Sequence, residues 1–179
     1  MRNLLLILLT TFTLSCCDKD NDQPKTELEK LPPATQIGAQ TFGCLIDGKA
    51  FAPPKFGTNA PNAFYQFVGG AYTLGINAAT GGGTELRGIN IGCLDALLMS
   101  ESNYILLEKS PPNYFGQFTI YGGIILNSTT SVNLPGNLII TRFDPTNFII
   151  SGTFAFSVLN DNGNEIKITN GRFDMQYTN

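Results

Sequence analysis

The sequence predicts an all-β domain, an antiparallel β-sandwich or a partly open barrel of about nine or ten short strands, over residues 41–179. Three observations predict it. From Thr41 onward apolar residues alternate with polar or small ones, the two-residue period of a half-buried strand. Gly, Asn, Asp and Pro interrupt these runs at about 8–12-residue spacing, as turns do. No stretch carries the 3.6-residue period of a long amphipathic helix.

The elements follow in order. Phe42, Cys44 and Ile46 lie on one face of a first strand. Asp47-Gly48 is a strong hairpin signal, and Lys49-Ala50-Phe51 begins the return. Ala63 to Val68 reads as a strand that ends at Gly69-Gly70. Tyr72, Leu74, Ile76 and Ala78 then alternate with Thr73, Gly75, Asn77 and Ala79. After Gly81-Gly82-Gly83, residues Ile89, Ile91 and Cys93 mark another inward face. Asp95 to Met99 is the one place for a short helix, with Asp95 as its cap. Tyr104 to Lys109 reads as a strand, stopped by Pro111-Pro112. Phe118 and Ile120 point one way, Gln117 and Thr119 the other. Leu138 to Phe143 is a strand that ends at Asp144-Pro145. Phe148, Ile150, Gly152, Phe154, Phe156 and Val158 share one face, and Asn162-Gly163 turns the chain. Ile166 and Ile168, then Phe173, Met175 and Tyr177, close the domain.

The N-terminus has a different texture. Arg2 precedes the apolar run 4–14, LLLILLTTFTL, and Ser15-Cys16-Cys17 follows. A basic start, a short apolar stretch and a small residue before a cut is the layout of a secretory signal, here residues 1–15. The run is shorter than the roughly 20 residues that span a bilayer. A small residue before cysteine resembles the lipobox of bacterial lipoproteins, in which that thiol is acylated. Cys16 is the expected lipidation site, with Cys17 the alternative. Residues 16–40 then read as the lipidated N-terminus and a disordered tether, polar, charged and proline-bearing. As a flexible coil the tether would span about 25 Å. Thr26 to Glu29 imitates a capping box, but Pro32 and Pro33 limit it to one turn.

Composition excludes several classes of function. The net charge is -3 and no basic patch exists, which argues against nucleic acid as a partner. The chain has no His and no Trp. That removes Ser-His-Asp and Cys-His catalysis and every histidine metal ligand. No metal and no cofactor are expected, and the catalytic set is empty.

Two segments carry a resemblance. Leu31-Pro32-Pro33-Ala34-Thr35-Gln36 runs into Thr41-Phe42-Gly43-Cys44-Leu45-Ile46-Asp47-Gly48-Lys49. Ser151-Gly152-Thr153-Phe154-Ala155-Phe156 is followed by Ile168-Thr169-Asn170-Gly171-Arg172-Phe173-Asp174. Together they resemble a family of uncharacterised exported lipoproteins of Bacteroidetes-type bacteria. The likeness covers the signal, the tether and both ends of the domain; residues 55–145 carry no mark of it. It implies export and a β fold, and it brings no activity; the expected location is the cell envelope, at the outer membrane. Asp18, Asp20 and Asp22 resemble the acidic signal that sends such lipoproteins to the cell surface, and a solvated spacer explains them equally.

Few constellations carry chemistry. Cys44 and Cys93 form a disulfide only if their Cα atoms lie within about 7 Å, and otherwise are two buried thiols. Asp161-Asn162-Gly163-Asn164-Glu165 is rich in oxygen ligands, yet a hairpin turn explains each residue. Glu85, Asp95, Glu101 and Glu108 are carboxylates that nothing in the sequence pairs, although a glycosidase needs a facing pair. Gly81-Gly82-Gly83-Thr84 lacks the GK[ST] ending of a phosphate loop. Tyr104, Tyr114, Phe115 and Tyr121 are a candidate stacking platform, and Pro111–Tyr121 is the candidate ligand-binding loop. The expectation is a membrane-anchored, non-enzymatic module that binds a small molecule, a glycan or a protein. An accessory subunit that meets other envelope proteins through a sheet edge is the alternative. A carboxylate-based hydrolase ranks last.

Overall fold

A computed structural model describes residues 24–82 and 85–179. Cys16, Cys17 and the signal lie outside the described residues. No described helix is long and apolar enough to cross a membrane. The described residues form eleven strands and no helix. They are β1 (Thr41–Ile46), β2 (Lys49–Phe51), β3 (Asn62–Val68), β4 (Ala71–Gly82), β5 (Glu85–Ala96), β6 (Asn103–Leu106), β7 (Tyr114–Tyr121), β8 (Ile125–Thr129), β9 (Gly136–Asp144), β10 (Ile149–Leu159) and β11 (Glu165–Thr178).

The strand order is β10-β9-β6-β7-β5-β4-β3-β11-β1-β2, with β8 added to β7 and a further pairing of β10 with β11. Two contacts are parallel and short. β6 meets β7 at one residue pair, Leu106 and Tyr114. β11 meets β3 at Tyr177–Ala63 and Thr178–Phe64. All other named strand pairings are antiparallel. The sheet is therefore mixed rather than purely antiparallel. Its seams are too short to make a closed barrel, and the architecture is sandwich-like. Set apart at those two seams, the pairings fall into two runs that serve as its layers, β6, β9, β10, β11, β1 and β2 in one and β3, β4, β5, β7 and β8 in the other. They press together where Gly116 of β7 meets Phe156 of β10. A Cβ on Gly116 would lie 2.8 Å from that ring, so only glycine fits.

The alternation read from the sequence becomes the core. Phe42, Cys44, Ile76, Ile89, Ile91, Ile150, Val158, Ile168 and Met175 are buried from both layers. Phe148 departs from its expected face. It precedes β10 at a φ of +54° and is 40% exposed.

Two further expectations are corrected. Asp95 to Met99 is not helical: Asp95 sits within β5 at a φ of +59°. Five residues are too few to nucleate a helix, and tyrosines satisfy the backbone instead. The Met99 N–H donates to Tyr65 Oη and the Ser100 N–H to Tyr104 Oη. The second correction is the tether, which is not free up to residue 40. Thr26 and Glu29 do close the single capped turn. Leu31 is then buried, and Pro32 lies over Gly43, where a Cβ would come within 2.6 Å of its ring. Asp174, buried in β11, accepts hydrogen bonds from Thr35 Oγ1 and from the N–H groups of Ile37, Gly38 and Ala39. Ser151 Oγ donates to it as well. A buried carboxylate needs such donors, and residues 35–39 supply most of them.

Candidate functional site

The outward positions of β3, β4, β5 and β7 place side-chain amides in line. Register pairs Asn62 with Asn77, Asn77 with Asn90, and Asn90 with Gln117. Four amides from four strands thus stand side by side across the sheet. At the spacing of adjacent strands the row is roughly 14 Å long. Asn77 Nδ2 donates to Asn62 Oδ1 at 3.1 Å, and Asn90 Nδ2 donates to Asn77 Oδ1. Gln117 Nε2 donates to Thr119 Oγ1 and to Asn127 Oδ1, at 3.1 and 2.9 Å. The row therefore continues into β8.

The row lines a shallow groove of about 410 Å³. Ala79 and Gly88 keep the adjacent row low, and Thr58, Asn59 and Ala60 form one wall. On the other side, Phe64 lies over Gly75 and Phe115 over Gly92. Added Cβ atoms there would come 2.3 Å and 2.9 Å from the rings. Glycine in the strand interior lets each ring lie flat on the backbone. Lys109 closes one end. Its Nζ donates to Gln117 Oε1 at 3.1 Å and sits 5.0 Å from the Phe115 ring centroid. Among the described residues no carboxylate lines this groove. It offers amide donors and acceptors and one cation, and it lacks an acid–base pair.

The candidate loop Pro111–Tyr121 is corrected by this geometry. Most of it is strand β7, not loop. Phe115 is buried beneath Lys109 and cannot be an exposed stacking ring. Tyr114 is half-buried, with its ring centroid 4.4 Å from that of Tyr104. Burial pushes its hydroxyl well above the ordinary tyrosine range. Of the three, only Tyr121 is exposed. It stands opposite Leu86, on the outward side of β7 with Gln117 and Thr119.

Cys44 and Cys93 are free, buried thiols on β1 and β5. Burial pushes Cys44 up to about 12 and Cys93 up to about 11. Glu85 pairs with Arg87 at 2.6 Å, and Glu101 accepts the Phe143 N–H. Asp95 and Glu108 do not line the groove. The 161–165 turn is closed by Asn160 Oδ1, which accepts the N–H groups of Asn162 and Asn164. Among the described residues no three metal-ligating side chains come together.

A second concavity lies where Tyr65, Tyr72, Phe143, Phe148 and Tyr177 gather around about 300 Å³. Tyr65 and Tyr72 are stacked at 4.6 Å, and Phe143 and Tyr177 at 5.5 Å. These rings mostly face one another, so this cluster reads as packing at a sandwich corner. The amide row was missed in the sequence because its members lie 13 to 27 residues apart. The available signal was that the polar positions of successive strands were amides rather than charges.

The chain matches no family model, no curated protein and no solved structure.

Proposed function

We propose that the protein is a non-enzymatic cell-envelope lipoprotein whose β domain binds a glycan along the row Asn62–Asn77–Asn90–Gln117. That row is the observation that carries the reading. An amide presents both donors and acceptors, matching hydroxyls that do both. Asn62 Nδ2 and Asn90 Oδ1 make no hydrogen bond among the described residues, so each is free for a ligand. A row roughly 14 Å long suits a chain of sugar rings better than a single one. With no histidine in the chain and no carboxylate among the described residues of the groove, the site favours binding over hydrolysis. Membrane attachment through Cys16 or Cys17 would present this face at the envelope. The test is calorimetry of the detergent-solubilised full-length protein against oligosaccharides, with Asn90→Ala as control. At least one saccharide should bind, and Asn90→Ala should weaken it about tenfold, the cost of lost buried-edge hydrogen bonds. A flat panel, or binding indifferent to Asn90, sinks the reading.

One observation favours the accessory-subunit reading as second. Residues 110–141 contain no charged side chain, and they include the edge strand β8. Ile124 and Ile125 there are 74% and 61% exposed. Natural edge strands are usually protected by charge. Crosslinking on intact cells checks this: a partner captured by native protein and lost in Ile125→Lys supports it.

A further inference from the structure

Resting on the glycan reading of the groove, we infer that the ligand is an acidic glycan whose carboxylate or sulfate is held by Lys109. Among the described residues Lys109 is the single charged one that lines the groove. Its ammonium has three N–H donors. Gln117 Oε1 takes one, and the Phe115 ring approaches from another side. Those two contacts fix the head group at the end of the amide row rather than leaving it to sweep through solvent. Neither contact neutralises it. Among the described residues Lys109 forms no ion pair, as Lys25, Lys49, Lys55 and Arg172 form none, but of these it alone lines the groove. Glu108, its neighbour in sequence, does not line the groove.

The same residues explain why the anion belongs at one end. Asn62, Asn77, Asn90 and Gln117 are neutral and recognise hydroxyls along the chain of rings. Lys109 then supplies the one charge-assisted hydrogen bond, which is stronger than its neutral counterparts. A cationic sugar would meet like charge with no carboxylate to receive it.

The experiment uses the full-length protein in detergent and three ligand sets. These are oligouronates of galacturonate, mannuronate and glucuronate, their neutral methyl esters, and sulfated galactan oligomers. At least one acidic oligomer should bind about tenfold tighter than its neutral counterpart, and the difference should shrink as salt rises. Lys109→Gln should erase that preference. Uronate preference assigns a carboxylate, and preference for the galactan oligomers assigns a sulfate. Equal binding of acid and ester, unaltered by Lys109→Gln but abolished by Asn90→Ala, overturns the role of Lys109 and leaves the glycan groove standing. No binding by any set, with neutral sugars also silent, removes the groove reading and this inference together.

Discussion

Replacing Asp174 with alanine should release the N-terminal strap and destabilise the whole domain. The carboxylate is 1% exposed and accepts five hydrogen bonds, from Ser151, Thr35, Ile37, Gly38 and Ala39. Each bond to a charged group contributes about 1.5–3 kcal/mol. The full set cannot all be lost, because residues 35–39 would come away and hydrate their own N–H groups. What remains is the detachment of residues 31–40, including Leu31, whose burial contributes about 2 kcal/mol. With Ser151 left facing an apolar methyl, the expected loss is about 3–5 kcal/mol. Urea unfolding followed by far-ultraviolet circular dichroism measures it, and trypsin cleavage after Lys30 reports the strap directly. A loss under about 0.5 kcal/mol, the scale of an ordinary surface change, with Lys30 cut no faster than in the native protein, would refute the strap's role. Acid gives an independent reading of the same contact. Burial alone would raise the Asp174 carboxyl, but hydrogen bonds from Thr35, Ile37, Ser151 and Ala39 more than offset it and hold it at about 2. Because the folded value is depressed from 3.8, its contribution is complete above about pH 4 and is lost as pH falls towards 2. The amount is about 2–3 kcal/mol at most, less where solvent reaches the strap. Asp174→Asn should flatten that part of the pH profile.

Phe154→Ala should cost about 3–5 kcal/mol, since the ring is buried against Phe42, Phe156 and Phe173; an unchanged urea midpoint would contradict its inward assignment. Gly152→Ala would bring a methyl within 2.2 Å of the Ile139 carbonyl oxygen, so β9 and β10 must separate. A loss of about 1–3 kcal/mol is expected, and wild-type stability would show that the two strands tolerate more space. Native protein treated with iodoacetamide at pH 8 should leave Cys44 and Cys93 unlabelled, and unfolding without reductant should expose both to peptide mapping. Labels that appear only after reduction would mean a disulfide. Cys16→Ser should move the protein from the membrane to the soluble fraction; retention with acyl label would assign the anchor to Cys17.

The inward faces were legible in the residues because a strand's period is local. Phe42, Cys44 and Ile46, or Phe173, Met175 and Tyr177, need only their neighbours to announce one buried side. The Asp47-Gly48 and Asn162-Gly163 turns were legible for the same reason, and Gly48 and Gly163 do take positive φ. Everything that depended on which strand lies beside which stayed hidden. The parallel seam of β3 on β11 joins Ala63 to Tyr177, segments distant in sequence. Residues 31–40 looked free because their composition is polar and proline-bearing. Residues 35–39 are held chiefly by one carboxylate 135 to 139 residues downstream, and composition carries no trace of that partner. Phe115 looked exposed on an outward position, yet Gly92 on the next strand and Lys109 above it bury the ring. Asn62, Asn77, Asn90 and Gln117 are, taken singly, ordinary polar positions. Only cross-strand register aligns them into a groove, and register is set by the pairing of whole strands over the core.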